Sequence, residues 1–153
     1  MNRLMKAPRI LLVDDEVPAR RLLAGALTED GIVVVGECGT AEEGVAAARD
    51  LRPEVVLMDL RLPDGSGIEA TRRIKEGLPY VQVLLHTAYD GELPSRSAHA
   101  VGAYAYLVKG CPVSLIRDMV ATAATRCRAL RQAEAQAQAG GSGGTGRDQP
   151  ASR

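Results

Sequence analysis

The chain reads as an α/β protein of (βα)5 type: a doubly wound, five-stranded parallel sheet with helices on both faces. Three observations predict it. Five short apolar runs punctuate residues 9–109, segments of helical periodicity separate them, and the runs give way to polar residues at their C-terminal ends. The runs cover residues 10–13, 32–35, 55–58, 81–85 and 104–108. Each is too uniformly apolar for a strand with one wet face, as expected of parallel strands covered on both sides.

The intervening segments justify the helices in turn. Ala19, Leu22, Leu23, Ala26 and Leu27 recur at helical spacing, so this stripe is predicted to face the core, with Pro18 in the first turn and Gly31 as the stop. Thr40 can cap a helix over residues 41–50, with Glu43 completing a capping box. A third helix over 67–76 stops at Gly77, and a fourth over 92–101 stops at Gly102, weakened by Pro94 unless that lies in the first turn. Pro112 opens a longer helix with Leu115, Ile116, Met119, Val120 and Ala123 on its apolar face.

Composition narrows the function. The 153 residues are 46% hydrophobic and 25% charged, enough for one domain without disulfides or structural metal. With 19 basic against 19 acidic side chains, the overall field does not favour nucleic acid, and the lack of Phe and Trp removes a base-stacking platform. No apolar run approaches the roughly 18–20 residues of a bilayer span, and the first eight residues lack the apolar stretch of a signal peptide. Cys38, Cys111 and Cys127 are far apart and form no CxxC, so neither a disulfide framework nor a zinc site is expected. A reduced, cytoplasmic setting is the simplest expectation.

Open α/β sheets bind ligands beyond the carboxyl ends of their strands. That rule gathers Asp14, Asp15 and Glu16 after the first strand, Asp59 after the third, His86 and Thr87 at the fourth, and Lys109 after the fifth. Carboxylates brought together there repel unless a cation sits among them, and all-oxygen ligation favours Mg²⁺. Thr87 and Lys109 add a hydroxyl donor and a positive charge suited to a phosphoryl group. Asp59, from a central strand, is the natural nucleophile. Singly, each residue has a plainer reading: acids start helices, tyrosines fill cores, and His86 is structural. Their shared position raises them above it.

Four motifs stand in order at these strand ends: Asp14-Asp15; residues 56–65 with Gly67 just beyond; His86-Thr87-Ala88; and residues 102–109 ending in Lys109. Together they resemble the response-regulator receiver domain of two-component signalling, a CheY-like fold, over roughly residues 8–130. The resemblance implies a flavodoxin-like strand order 2-1-3-4-5. Asp59 would be the phosphoacceptor. Asp15, Asp14, Asp59 and the Arg61 carbonyl would surround Mg²⁺, with Thr87 and Lys109 contacting the phosphoryl oxygens. Tyr106 would be the switch aromatic that follows Thr87 inward, in preference to Tyr104 on what alternation makes the same face. Arg61 and Tyr89 would border the pocket. A sensor histidine kinase would supply the phosphoryl group, and turnover would be limited to self-phosphorylation and slow autodephosphorylation, so the chain is not expected to be an enzyme. Gly110 follows the lysine where proline is common, and Ala105 precedes the switch aromatic where glycine is common. The first departure resembles the NarL/FixJ-type branch, whose outputs bind DNA.

Residues 131–153 read as a helix extension and a disordered Ala/Gln/Gly/Ser-rich tail or linker, either the natural end of a single-domain regulator or the start of a linker to an output domain expected to regulate transcription and absent from this chain. The chain itself is expected to bind neither nucleic acid nor membrane. A homodimer remains open, through the first and fifth helices or through the face of the fourth helix, fifth strand and fifth helix. Two other functions compete: a small Mg²⁺-dependent phosphatase of the haloacid dehalogenase kind, and a receiver-like binding module that takes no phosphate. The phosphatase pattern is an Asp-x-Asp after the first strand, whereas Asp14 and Asp15 are adjacent. Neutrality also hides a split: residues 1–110 hold 13 basic and 16 acidic side chains, and residues 111–153 hold six and three.

Overall fold

The structure is a computed structural model and describes residues 6–88 and 99–141. Five parallel strands form one sheet: β1 (Arg9–Val13), β2 (Val33–Cys38), β3 (Val55–Asp59), β4 (Gln82–Thr87) and β5 (Ala105–Val108). Their spatial order is β2-β1-β3-β4-β5, so the direction of winding reverses between β1 and β3. Helices α1 (Val17–Glu29), α2 (Ala41–Leu51), α3 (Gly67–Gly77) and a long C-terminal helix (Val113–Gly140) complete the described elements. A two-residue antiparallel ladder, Arg61–Leu62 with Gly65–Ser66, turns β3 into α3.

The uniform apolarity of the central strands follows from the two layers that cover them. Leu11, Val13, Val56, Met58, Val83 and Leu85 pack with Val45 and Ala48 of α2 and Ala70 and Ile74 of α3. The alternate residues Ile10, Leu12, Val55, Leu57 and Leu84 pack with Leu27 of α1 and Ile116 and Val120 of the C-terminal helix. Burying both faces of β1, β3 and β4 removes their apolar side chains from water and drives the layers together. The edge strand β2 departs from this pattern, since only Cys38 is buried and Val33 is 47% exposed.

Two apolar faces differ from their sequence reading. In α1 the inward residues are Leu23, Ala24 and Leu27, while Ala19 is exposed and Leu22 is 79% exposed. The helix is rotated because Arg20, a polar residue off the apparent stripe, turns inward. Its guanidinium donates to the Asp14 and Cys38 carbonyls at 2.7 and 3.1 Å and to Glu37 at 3.1 Å. Three acceptors compensate its desolvation, so the guanidinium shares the inward side of α1 with Leu23, Ala24 and Leu27. In the C-terminal helix, Leu115 is likewise exposed, and Ala124 and Cys127 extend the buried face instead.

Local chemistry fixes the helix ends that border the site. Thr40 Oγ1 accepts from the Glu43 N–H at 3.1 Å, as a cap should. The reciprocal bond falls one residue earlier than expected, from the Gly39 N–H to Glu43 Oε2 at 3.3 Å. The remaining N–H groups of α2 are taken by Asp64, whose two oxygens accept from Ala41 and Glu42 at 2.7 and 3.0 Å. This clamps the β3–α3 turn onto α2. At the opposite end of the sheet, buried Glu54 accepts from Arg128 (2.9 Å to Nη2) and from the Arg9 N–H at 3.0 Å, tying the C-terminal helix to β1 and β3. That helix continues to Gly140. Most of the expected fourth helix, Tyr89 and Pro94 lie outside the described residues, as do residues 142–153.

Candidate phosphoacceptor and metal site

The site lies at the carboxyl ends of β1, β3, β4 and β5, beside the reversal of strand order, where an open α/β sheet forms a crevice. Asp14 follows β1, Asp59 is the last residue of β3, Thr87 the last of β4, and Lys109 follows β5. Parallel pairing holds these ends level: Asp59 is in register with His86, and Thr87 with Val108. The Lys109 N–H donates to the Thr87 carbonyl at 2.6 Å, carrying the ladder one residue past β5.

One cation bridges the acids. Lys109 Nζ lies 3.1 Å from Asp59 Oδ2, 3.2 Å from Asp14 Oδ2 and 3.9 Å from Glu16 Oε1. Oxygens of Asp14, Asp15 and Asp59 lie within 4.8 Å of one another. Three carboxylates that close fit a hard divalent cation with oxygen ligands, Mg²⁺ among them. Asp14 Oδ1 accepts from the Glu16 N–H at 2.9 Å, which orients the carboxylate. A cavity of about 250 Å³ opens over these groups, lined by Asp15, Asp59, Arg61, Thr87, Ala88 and Lys109 among others.

The electrostatics suit a reacting carboxylate. Burial pushes the Asp59 carboxyl above the ordinary aspartate range; the Lys109 hydrogen bond offsets part of this, and Asp14 adds to it. Burial works against the Lys109 ammonium, but Asp59 and Asp14 outweigh it and keep its pKa above that of a free lysine. His86, which faces away from the pocket mouth, is pushed down to about 4 by burial and then by Lys109. Thr87 is fully buried at 1% exposure, and Asp59 is 7% exposed.

Tyr106 is 40% exposed and pairs with Leu85, so it shares a sheet face with Leu85 and Thr87. Tyr104 does not share that face: it precedes β5, where alternation does not yet apply, and packs against the layer of α1 and the C-terminal helix. Gly110 adopts φ +95°, a left-handed turn that favours glycine. Gly67 is required for a different reason: a Cβ there would sit 2.0 Å from the Asp59 carbonyl oxygen. Sequence reasoning missed Asp64, whose capping acts across 22–23 residues, and Arg20, which reads as a solvated charge on a helix. The Asp-Gly turn was the one available signal for Asp64.

A five-stranded parallel sheet of this order, with clustered acids and a lysine at the strand ends, defines a CheY-like class of fold. The chain belongs to the response regulator receiver domain family, whose profile matches residues 10–121. It is 35% identical over 113 residues to the response regulator protein VraR of Staphylococcus aureus, covering 73% of this chain and 54% of VraR. It thus spans about half the length of the curated relatives it matches. Among solved structures, a LuxR-family two-component response regulator from an Aurantimonas species superposes with TM-score 0.72 at 33% identity, covering 78% of this chain and 87% of the other. The receiver domain of the response regulator NarL from Mycobacterium tuberculosis superposes with TM-score 0.73 at 26% identity, covering 79% and 98%. These relatives support the NarL-type branch. The phosphatase alternative falls with the family assignment. Receiver domains are not enzymes in the ordinary sense. Among the described residues, no helix is long and apolar enough to cross a membrane.

Proposed function

We propose that Asp59 accepts a phosphoryl group from a sensor histidine kinase. The observation that carries this reading is the buried Asp59 carboxylate held 3.1 Å from Lys109 within a cluster of three acids. An Asp59 oxygen attacks phosphorus, the phosphorus–nitrogen bond of the donor phosphohistidine breaks, and the imidazole leaves with the electron pair. Asp14, Asp15, Asp59 and the Arg61 carbonyl would hold Mg²⁺, which when bound offsets charge on the transferring oxygens. Lys109 pairs with the product phosphoryl, and the Thr87 hydroxyl donates to it. Slow loss of the group to water is the only turnover expected.

Thr87 and Tyr106, on one sheet face, then form the switch: inward movement of Thr87 leaves room for Tyr106 to follow and reshapes the face around β5. This is a shift between two packings, driven by the preference of one of them for the phosphorylated site. Residues 8–130 form the receiver, and the helix that continues to Gly140 extends it towards a tail or linker and an output. By likeness to the longer relatives, that output regulates transcription in the cytoplasm, while this chain itself binds neither DNA nor membrane. A homodimer through α1 and the start of the C-terminal helix fits the exposed Leu22, Val113 and Leu115.

Incubation with Mg²⁺ and acetyl phosphate tests the reading. A stoichiometric, hydroxylamine-labile adduct that is lost in Asp59→Asn is expected. No adduct with the wild type would leave a phosphate-independent binding module instead.

A further inference from the structure

One buried polar group is used by nothing above. His86 ends β4 beside Thr87 but points to the opposite face of the sheet, the one shared by Leu84 and Leu107. The residue is 9% exposed, and its Nε2 has no hydrogen-bond partner among the described residues. An apolar side chain would suit this face, so an imidazole here carries a desolvation cost that calls for a polar partner.

Next to it lies a small cavity of about 10 Å³ between β1, β3 and α1. Leu12, Val13, Leu23 and Leu57 form its apolar side, and Asp14, Arg20 and His86 its polar side. That volume is about one probe sphere, and a buried water is held where two to four polar groups converge. Dry cavities have purely apolar walls, and this one does not.

We propose that His86 holds a single buried water against Asp14 and is thereby a positioning residue for the metal site. Asp14 already spends Oδ1 on the Glu16 N–H and Oδ2 on Lys109. Uptake of a divalent cation would draw the carboxylate away from Lys109, and a water link from the rear would keep its orientation during that exchange. Outer partners of this kind tune metal affinity through the ligands they orient. The metal consequence rests on the receiver reading; the water link does not.

The test uses the full chain as wild type, His86→Leu and His86→Gln, where the glutamine amide can reach the place of Nε2. A high-resolution crystal structure of the metal-free wild type should show an ordered water bonded to both His86 Nε2 and Asp14. Calorimetric titration should give His86→Leu a Mg²⁺ dissociation constant about tenfold higher, without a fall in its metal-free melting temperature. His86→Gln should stay within about threefold of the wild type, as expected if a polar atom is what the site needs. An empty cavity overturns the proposal, as does His86→Leu binding Mg²⁺ like the wild type, or His86→Gln binding as weakly as His86→Leu. A wild type that shows the water but takes up no Mg²⁺ overturns the receiver reading and the positioning role, and supports the water link alone.

Discussion

Lys109 and Asp59, fifty residues apart in the chain, meet at 3.1 Å at the mouth of the sheet. The same ammonium lies 3.2 Å from Asp14, so a single cation neutralises two of the three acids assigned to the metal. On the proposed function it would be both a partner for the phosphoryl group and a competitor of the metal. Lys109→Met should raise Mg²⁺ affinity several-fold, since the carboxylates lose their internal counter-charge. It should also slow adduct formation from acetyl phosphate by about tenfold or more, since charge on the transferring group goes uncompensated. Calorimetry and adduct kinetics on one preparation check the two opposite signs.

Gly67 tests how tightly the turn after β3 is built. A methyl group at this residue would meet backbone at 2.0 Å, and a backbone carbonyl cannot rotate away as a side chain can. Gly67→Ala should cost about 3 kcal/mol in urea unfolding, the upper part of the range for overpacking. Gly77→Ala, with nothing within 4 Å and no positive φ, should be neutral or mildly stabilising.

Asp64 predicts a pH dependence. Hydrogen bonds from the Glu42 and then the Ala41 N–H hold its carboxyl below the ordinary aspartate range. A depressed pKa means stability present above the unfolded value and lost as pH falls through the folded one. Asp64→Asn should therefore melt a few degrees below the wild type at pH 7, with the gap closing on acidification below the usual aspartate pKa. Melting curves across that window decide it; a gap that persists in acid would show that shape and not charge matters.

Leu22 tests the proposed dimer. At 79% exposure it contributes little to the fold, so Leu22→Arg should leave the melting temperature unchanged. Sedimentation of the phosphorylated protein should show a dimer for the wild type and a monomer for the variant. A dimer that persists in the variant would place the interface elsewhere.

The strands and the acids at their ends were legible because both rest on local pattern. Runs such as Val55–Asp59 are apolar throughout since each face is covered, and strand ends are where such a sheet places its ligands. Helix facing was less legible. Of the stripe Ala19, Leu22, Leu23, Ala26 and Leu27, Leu23 and Leu27 face the core while Ala19 and Leu22 are exposed, and Arg20 finds acceptors at Asp14 after β1 and at Glu37 and Cys38 of β2. No window of α1 contains those acceptors. The same holds for Asp64 on α2 and for Glu54 with Arg128, 74 residues apart.

The order of the described elements along the chain, the unpaired state of its three cysteines, and the placement of Asp14, Asp15, Asp59, Thr87 and Lys109 at or just beyond strand ends are therefore properties of the linear chain. Periodicity and strand-end position are local quantities, and they survive without knowledge of partners. What required the folded molecule was the pairing of charges. Lys109 shared between Asp59 and Asp14, Arg20 turned inward and His86 beside a small cavity of mixed polar and apolar lining all depend on which groups the sheet brings within a few ångströms. Electrostatic and hydrogen-bond energies fall off over such distances, so these relationships exist only once register and layer packing have set them.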